Sequence, residues 1–359
     1  MIFSLRRFFV AVMLCVLTAP GLAAGPAYTI TDLGTLGGSG SYGYGVNNNG
    51  QVAGESYTTG TTNSHAFLFS GGAAADLGTF GGTSSRAYDI NNNGQVVGSA
   101  YTTGNATSHA FLWSNGVMTD LGSLDGFSTA YGINDSGQVA GKSFTTSGSN
   151  HAFLWSEGVM SDLGTLGGMS SYGFGINNNG QVAGWSDIAG DAAARAFLWQ
   201  AGVMSDLGTL GGTNSFGYDI NDQGFVVGRS NLAGDALTHA FIWNGVSMLD
   251  LGSLGNWSSD ASGLNNLGQV VGSSGGSAFL WNAGTMLNLN SLIDPSSGWF
   301  LMYAEDINDN GQIVGTGFID GEEHAFLLTP TPVPIPPAVW LFGSGLLGFL
   351  GITRWRSKK

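Results

Sequence analysis

The chain has 359 residues, 24 Asp and Glu against 10 Lys and Arg, a formal net charge of −14, and only 9% charged side chains. Its 61 glycines come with a single cysteine. That balance excludes a disulfide-stapled scaffold, and it argues against nucleic acid or an anionic membrane surface as partner, because both need a basic face.

Residues 1–24 read as a secretory signal. Arg6 and Arg7 give the positive start, Phe8–Ala19 is an apolar stretch of 12 residues, and Leu22-Ala23-Ala24 supplies small residues for cleavage after Ala23 or Ala24. The stretch is short against the ~20 residues of a membrane span, and an uncleaved anchor is the competing reading. Arg6-Arg7-Phe8-Phe9 hints at a twin-arginine start, but two arginines are normal in a general secretory signal. Cys15 lies inside the apolar stretch behind Met13 and Leu14, not behind the small residues of a lipoprotein signal. The mature chain is therefore expected to hold no disulfide, which a domain of ~300 residues can do without.

Residues 25–329 say one phrase seven times. INxxG-type fragments begin at Val46, Ile90, Ile133, Ile176, Ile220, Leu264 and Ile307, at steps of 44, 43, 43, 44, 44 and 43 residues. HAFLW-type fragments begin at His65, His109, His151, Arg195, His239, Ser277 and His324. DLG begins at Asp32, Asp76, Asp120, Asp162, Asp206 and Asp250, with a degraded copy at 288–292. Such a period means a solenoid, a propeller or an array. In the copy that starts at Arg86, strands are expected over Ala87–Ile90, Gln95–Ser99, His109–Trp113 and Val117–Leu121. They are joined by the turn Asn91–Gly94, the polar loop Tyr101–Ser108 and a Ser-Asn-Gly turn. Asn-Gly is expected to supply the positive φ angles of tight hairpins, and hairpins mean antiparallel neighbours. The strands are continuously apolar, as they must be when both faces are covered.

Four short antiparallel strands per ~43-residue period describe a propeller blade. The last copy ends at His324–Leu328 with no fourth strand, while Tyr28–Leu36 stands alone at the other end. The expectation is an all-β, seven-bladed β-propeller of four-stranded repeats, closed by the N-terminal strand; an open solenoid or a sandwich array is the alternative. The phrase HAFLW…DLGTLGG…GINxxGQVVG resembles the extracellular HAF repeat family of bacteria. The resemblance implies export and a repeat-built β domain, and no catalytic residues.

All 24 acidic residues lie between Asp32 and Glu323, against four basic ones (Arg86, Lys142, Arg195 and Arg229), a formal −20 for the repeat region. After it, residues 330–337 complete the Pro-rich run TPTPVPIPP, a stiff spacer. Residues 338–359 hold a 15-residue uncharged apolar stretch and then Arg354, Arg356, Lys358 and Lys359. Basic residues of this kind stay cytoplasmic, so the repeats are expected outside. Proline box, short apolar helix and basic cluster resemble a PEP-CTERM-type sorting signal, with Val333, Pro334, Ile335 and Pro336 as a VPxP variant that lacks the acidic residue. The resemblance implies signal peptidase and an exosortase-type enzyme as processing partners, transient membrane insertion, and release to the cell surface or matrix. An ordinary membrane anchor is the alternative.

Candidate chemistry is sparse. All five histidines share one repeat position and read as a repeated structural hydrogen bond that fixes the loop before the third strand, since equivalent positions in neighbouring blades lie too far apart to share one ion. Asp306-x-Asn308-x-Asn310-Gly311 opens like a calcium loop, but Gly317 stands where a bidentate Glu is needed. The DLG aspartates read as acceptors of local backbone N–H groups. Trp257, Asp260, Trp299, Tyr303, Glu305, Glu322 and Glu323 break the repeat, and two carboxylates near aromatic rings are the composition of a glycoside site. No metal, cofactor or catalytic set is expected. The favoured expectation is an exported binding or structural module that uses the Tyr57–Ser64 and Tyr101–Ser108 type of loop on extracellular polysaccharide or another surface protein; the alternative is a polysaccharide-acting hydrolase or lyase.

Overall fold

A computed structural model of the chain describes residues 27–332. Ala23, Ala24, Cys15, Val333, Pro334, Ile335, Pro336, Arg354, Arg356, Lys358 and Lys359 lie outside the described residues. Among the described residues no helix is long and apolar enough to cross a membrane.

The described chain forms seven four-stranded antiparallel sheets. In the second blade the strands are Gly81–Ile90, Val96–Thr102, Ser108–Ser114 and Val117–Asp120, in that spatial order. The inner strand is longer than the apolar run, because the Gly-rich segment before it also pairs: Gly81 sits opposite Thr102 before the register shifts. The outer hairpin has the expected mirror-type turn, with Asn115 at φ 50° and Gly116 at φ 87°.

The inner hairpin differs from the sequence expectation. Only Gly94 is left-handed (φ 73°), and Asn93 is not. Asn91 organises this turn instead: its Oδ1 accepts the N–H of Asn93 at 3.1 Å and of Gln95 at 3.0 Å. A side chain that bonds its own backbone two and four residues on replaces the second strained residue.

The ring closes as expected. Tyr28–Asp32 pairs antiparallel with Glu322–Pro330 and completes the blade of Phe300–Ile307 and Ile313–Ile319. Leu33 then packs with Val314, Ala325 and Leu327 on one side and Val46, Val52 and Phe67 on the other, so the first and last blades share one apolar wedge. The core is a circle of such wedges between neighbouring blades, not a single centre. One phenylalanine per blade, Phe67, Phe111, Phe153, Phe197, Phe241, Phe279 and Phe326, is essentially fully buried. Each such burial stabilises by about 1.5–3 kcal/mol.

Candidate functional site

Each inner strand carries a register shift near its end, and the residue at that shift faces the axis. Tyr44, Tyr88, Phe174 and Tyr218 lie between the shifted pairs at 43/45, 87/89, 173/175 and 217/219. Tyr131, Ser262 and Glu305 occupy the same place in the other three blades. A β-bulge leaves one residue unpaired and re-aims its side chain. Repeated seven times, it points one side chain per blade into the axis. Together they line a cavity of about 340 Å³. Its rings form a nearly continuous belt: Tyr44 to Tyr88 5.6 Å between centroids, Tyr88 to Tyr131 4.9 Å, Tyr131 to Phe174 4.7 Å and Phe174 to Tyr218 5.6 Å. Ser262 and Glu305 interrupt the belt with a hydroxyl and a carboxyl.

One residue further along the strands, aspartate and glycine share the axis. Asp89 accepts the N–H of Ile90 at 2.7 Å and, across the blade boundary, that of Ile133 at 2.8 Å. Asp219 does the same with Ile220 and Leu264, and Asp306 with Ile307 and Val46. The preceding blade offers glycine there: a Cβ on Gly45 would lie 2.9 Å from the Cα of Asp89. Burial, and then repulsion from Asp306, push Asp89 up to about 7 and hold Asp219 well above the usual carboxylate range. Burial lifts Asp306 to about 6, and burial with repulsion from Asp306 lifts Glu305 to about 7. The two backbone N–H bonds to each aspartate offset this only in part, and no Lys, Arg or His lines the axial wall.

The next tier seals the ring. The asparagine of each INxxG fragment donates from Nδ2 to the backbone carbonyl of its counterpart in the following blade: Asn47 to Asn91, Asn91 to Asn134, Asn134 to Asn177, Asn177 to Asn221, Asn221 to Asn265, Asn265 to Asn308 and Asn308 to Asn47, at 2.8–3.2 Å. The circuit is complete. A second one runs beside it, from the N–H of Asn48, Asn92, Asp135, Asn178, Asp222, Asn266 and Asp309 to the side-chain oxygen of the next member. Asn308 and Asn310, read from the sequence as part of a calcium-like loop, are spent on these inter-blade bonds, and Gly317 pairs with His324 inside the sheet.

On the face where second and third strands join, a wider cleft of about 540 Å³ opens over blades 1 to 3 and shares Tyr88 with the axial cavity. Arg86, Tyr101, Phe127, Lys142 and Phe144 line it. Tyr101 and Phe127 are 41% and 54% exposed, which is high for large rings. Tyr101 and Ser108 are the ends of the loop that the sequence marks as a contact element, and both line the cleft.

The histidines form a repeated bond, but not with the preceding loop. Nδ1 of His65, His109, His151 and His239 meets the DLG aspartate that follows in the same blade, Asp76, Asp120, Asp162 or Asp250, at 2.8–2.9 Å. His324 meets Asp32 of the closing strand at 3.0 Å. Arg195 keeps the pairing with Asp206. Where Ser277 replaces the histidine, Asn288 replaces the aspartate. The same aspartates accept the N–H of Gly34, Gly78, Gly122, Gly164, Gly208 and Gly252 at 2.7–2.8 Å, as read from their position. Among the described residues no group of three His, Cys, Asp or Glu side chains is placed to hold a metal ion.

The repeat-breaking residues of the last blades do not assemble as one set. Glu305 lines the axial cavity, Asp260 faces Arg229 with 3.6 Å between Oδ1 and the guanidinium, and Trp299 packs edge-on to Phe326 in the core. Glu323 accepts from the Tyr42 hydroxyl at 2.5 Å, Glu322 lies 3.7 Å from His324, and Trp257 and Tyr303 are exposed. Sequence reasoning missed the aromatic belt and Lys142. The signal for the belt was present, since one aromatic residue stands two places before the INxxG fragment in five copies. It looked like ordinary strand filler because the bulge is invisible in the sequence.

No family model matches the chain, and no curated protein matches it. Solved propellers do. The β-propeller domain of the Trilobed protease from Pyrococcus furiosus has a TM-score of 0.49 and 10% identity over 70% of this chain and 84% of that one. TolB from Acinetobacter baumannii has a TM-score of 0.46 and 12% identity over 78% of this chain and 63% of that one. The Aleuria aurantia lectin, a six-bladed propeller, has a TM-score of 0.32 and 13% identity over 86% of this chain and 98% of that one. At these identities the likeness bears on the fold alone.

Proposed function

We propose that the protein is an exported, non-catalytic binding module that holds extracellular polysaccharide on one propeller face at the cell surface or in the matrix. One observation carries the binding reading. The repeated polar residues are consumed by the frame, whereas the axial cavity is lined by five aromatic rings beside one hydroxyl and one carboxyl, and the adjoining cleft brings Tyr88, Tyr101, Phe127 and Phe144 together with hydroxyls and charged groups. Concave sites of that composition are what small ligands and sugar units need. Stacking of sugar C–H faces on Tyr88, Tyr131 and Phe127 supplies affinity without demanding charge. Export, sorting and release rest on the signal at 1–24 and on the proline box and basic tail from Val333 to Lys359.

Two measurements test this. Intact mass of the protein from cells and medium should lack residues 1–23 or 1–24 and the segment after about Pro334–Pro337; a retained tail would sink the sorting part. Glycan binding by the recovered chain should fall roughly tenfold in Tyr131→Ala, about the worth of one well-placed aromatic contact. A hydrolase or lyase is the second reading, favoured by Glu305, a carboxyl near neutrality in an aromatic cavity. It requires turnover of a matrix glycan that Glu305→Gln abolishes; the expected result is no turnover.

A further inference from the structure

Lys142 is left over from every pairing described above. Among the described residues, Arg86 meets Glu55 at 2.7 Å, Arg195 meets Asp206 at 3.8 Å and Arg229 meets Asp260 at 3.6 Å. Among the same residues Lys142 meets no carboxylate. Its ammonium lies 4.9 Å from the ring centre of Tyr172 and 6.0 Å from that of Tyr131, and burial pushes its pKa down. The frame does not require a base at this register, because the equivalent residues in the other blades are Glu55, Ser99, Trp185, Arg229, Ser273 and Thr316. The two charged equivalents are both paired. A partly desolvated lysine without a counter-ion, in a region of formal charge −20, is a charge whose partner has to come from outside.

The surroundings define that partner. Lys142 opens into the cleft of about 540 Å³, within the usual range for a small-ligand pocket. Glu55 is the carboxylate that lines the cleft, and its oxygens are engaged by Arg86, by the Ser64 hydroxyl at 2.7 Å and by the Tyr44 hydroxyl at 3.0 Å. It therefore repels an incoming anion less than a free carboxylate would. Phe127 and Phe144 stand edge to face at 6.4 Å on the rim. The domain's overall negative field is screened beyond about 8 Å at physiological ionic strength, whereas the contact at Lys142 is shorter than that.

We propose that this cleft binds a uronate, a carboxylated sugar unit of an extracellular glycan, with its carboxylate on Lys142 and its ring face on the exposed aromatics Tyr101 and Phe127. This rests on the polysaccharide-binding reading and names the class of glycan. A neutral sugar would leave the lysine unpaired, and an acidic peptide would leave the aromatic faces unused.

Calorimetric titration of the full chain with a short oligouronate, a neutral oligosaccharide of equal length and an oligoglutamate separates the cases. The oligouronate should bind best. Lys142→Met should weaken it roughly tenfold or more, the worth of one charge-assisted hydrogen bond. Lys142→Arg should retain more of it, and the exposed Phe127→Ala should weaken it without touching the charge. Thermal midpoints report whether Lys142→Met still folds, and Phe127→Ala stands in if it does not. Equal binding of oligoglutamate, or oligouronate affinity unchanged in both Lys142→Met and Phe127→Ala, would overturn the proposal. Preference for the neutral oligosaccharide would overturn it too but leave the polysaccharide reading intact. Failure of every glycan to bind would remove both.

Discussion

At the scale of single residues, the asparagine of INxxG is the most heavily used side chain in the molecule. Asn177 is 3% exposed. It donates to Gln181 at 2.7 Å and to the Asn221 carbonyl at 2.9 Å, and accepts two backbone N–H groups of its own turn at 3.0–3.1 Å. Asn177→Ala would remove all four bonds at once and take away the acceptor of the Asn179 and Gln181 N–H groups, while the Asn221 carbonyl keeps only the Gly224 N–H at 2.9 Å. A loss of about 2 kcal/mol or more is expected from denaturant midpoints. Glu305 gives a second prediction. Its folded pKa of about 7 lies above the ~4.3 of an exposed glutamate, so the folded state holds the proton more tightly than the unfolded one. Its contribution to stability is full below the unfolded value and is lost as pH rises through about 7. Thermal midpoints should therefore fall between about pH 5 and about pH 8, with a shallower fall in Glu305→Gln; parallel curves for the two proteins would contradict the assignment. Asp89 and Asp219 keep a residual slope in the variant, because their carboxyls are raised for the same reasons of burial and mutual repulsion.

At the scale of elements, each blade is an amphipathic compromise between two neighbours. Val96 and Val97, like Ala110 and Phe111, are fully buried although they alternate sides of the sheet, because a blade covers each face. A continuous apolar run of this kind is legible in sequence, and so was the strand count. The inner-strand bulge was not. It depends on how the partner strand accommodates one extra residue, and no residue type marks that. The closing strand Tyr28–Asp32 makes a prediction of its own. Its removal together with Leu33 would strip Glu322–Pro330 of its outer partner and delete two buried side chains, Tyr28 and Leu33, uncovering what they pack against. That is roughly 3–6 kcal/mol of apolar burial, or about 10 °C or more in thermal midpoint. The freed edge should also drive self-association, visible by size-exclusion chromatography.

At the scale of the whole molecule, the ring divides labour by radius. Phenylalanines and valines hold blades together in the middle, asparagines link them near the axis, and His–Asp pairs pin the outer strands. On one face the axial cavity meets the cleft over the first three blades. Arg86, Lys142, Arg229 and Glu305 are among the variable, chemistry-bearing residues of an otherwise repeated structure. Drift alone leaves such charges paired by chance or exposed. Lys142 is instead half-buried, unpaired and at the cleft, and this is why it carries the sharper ligand prediction.

The sequence by itself determined the blade count, the four strands per blade, the closing N-terminal strand and the local role of the DLG aspartates. Each follows from spacing, hydrophobic runs and short-range hydrogen bonding, which act within one repeat. Only the tertiary structure decided what faces the axis, which asparagine reaches which carbonyl, and that the histidines bond aspartates on the neighbouring strand. Those depend on distances between residues 11 to about 44 positions apart, or across the whole chain at the closure. A repeat shows that such positions are equivalent, but not that they touch, because contact is set by the bulge and by the angle at which one blade packs on the next.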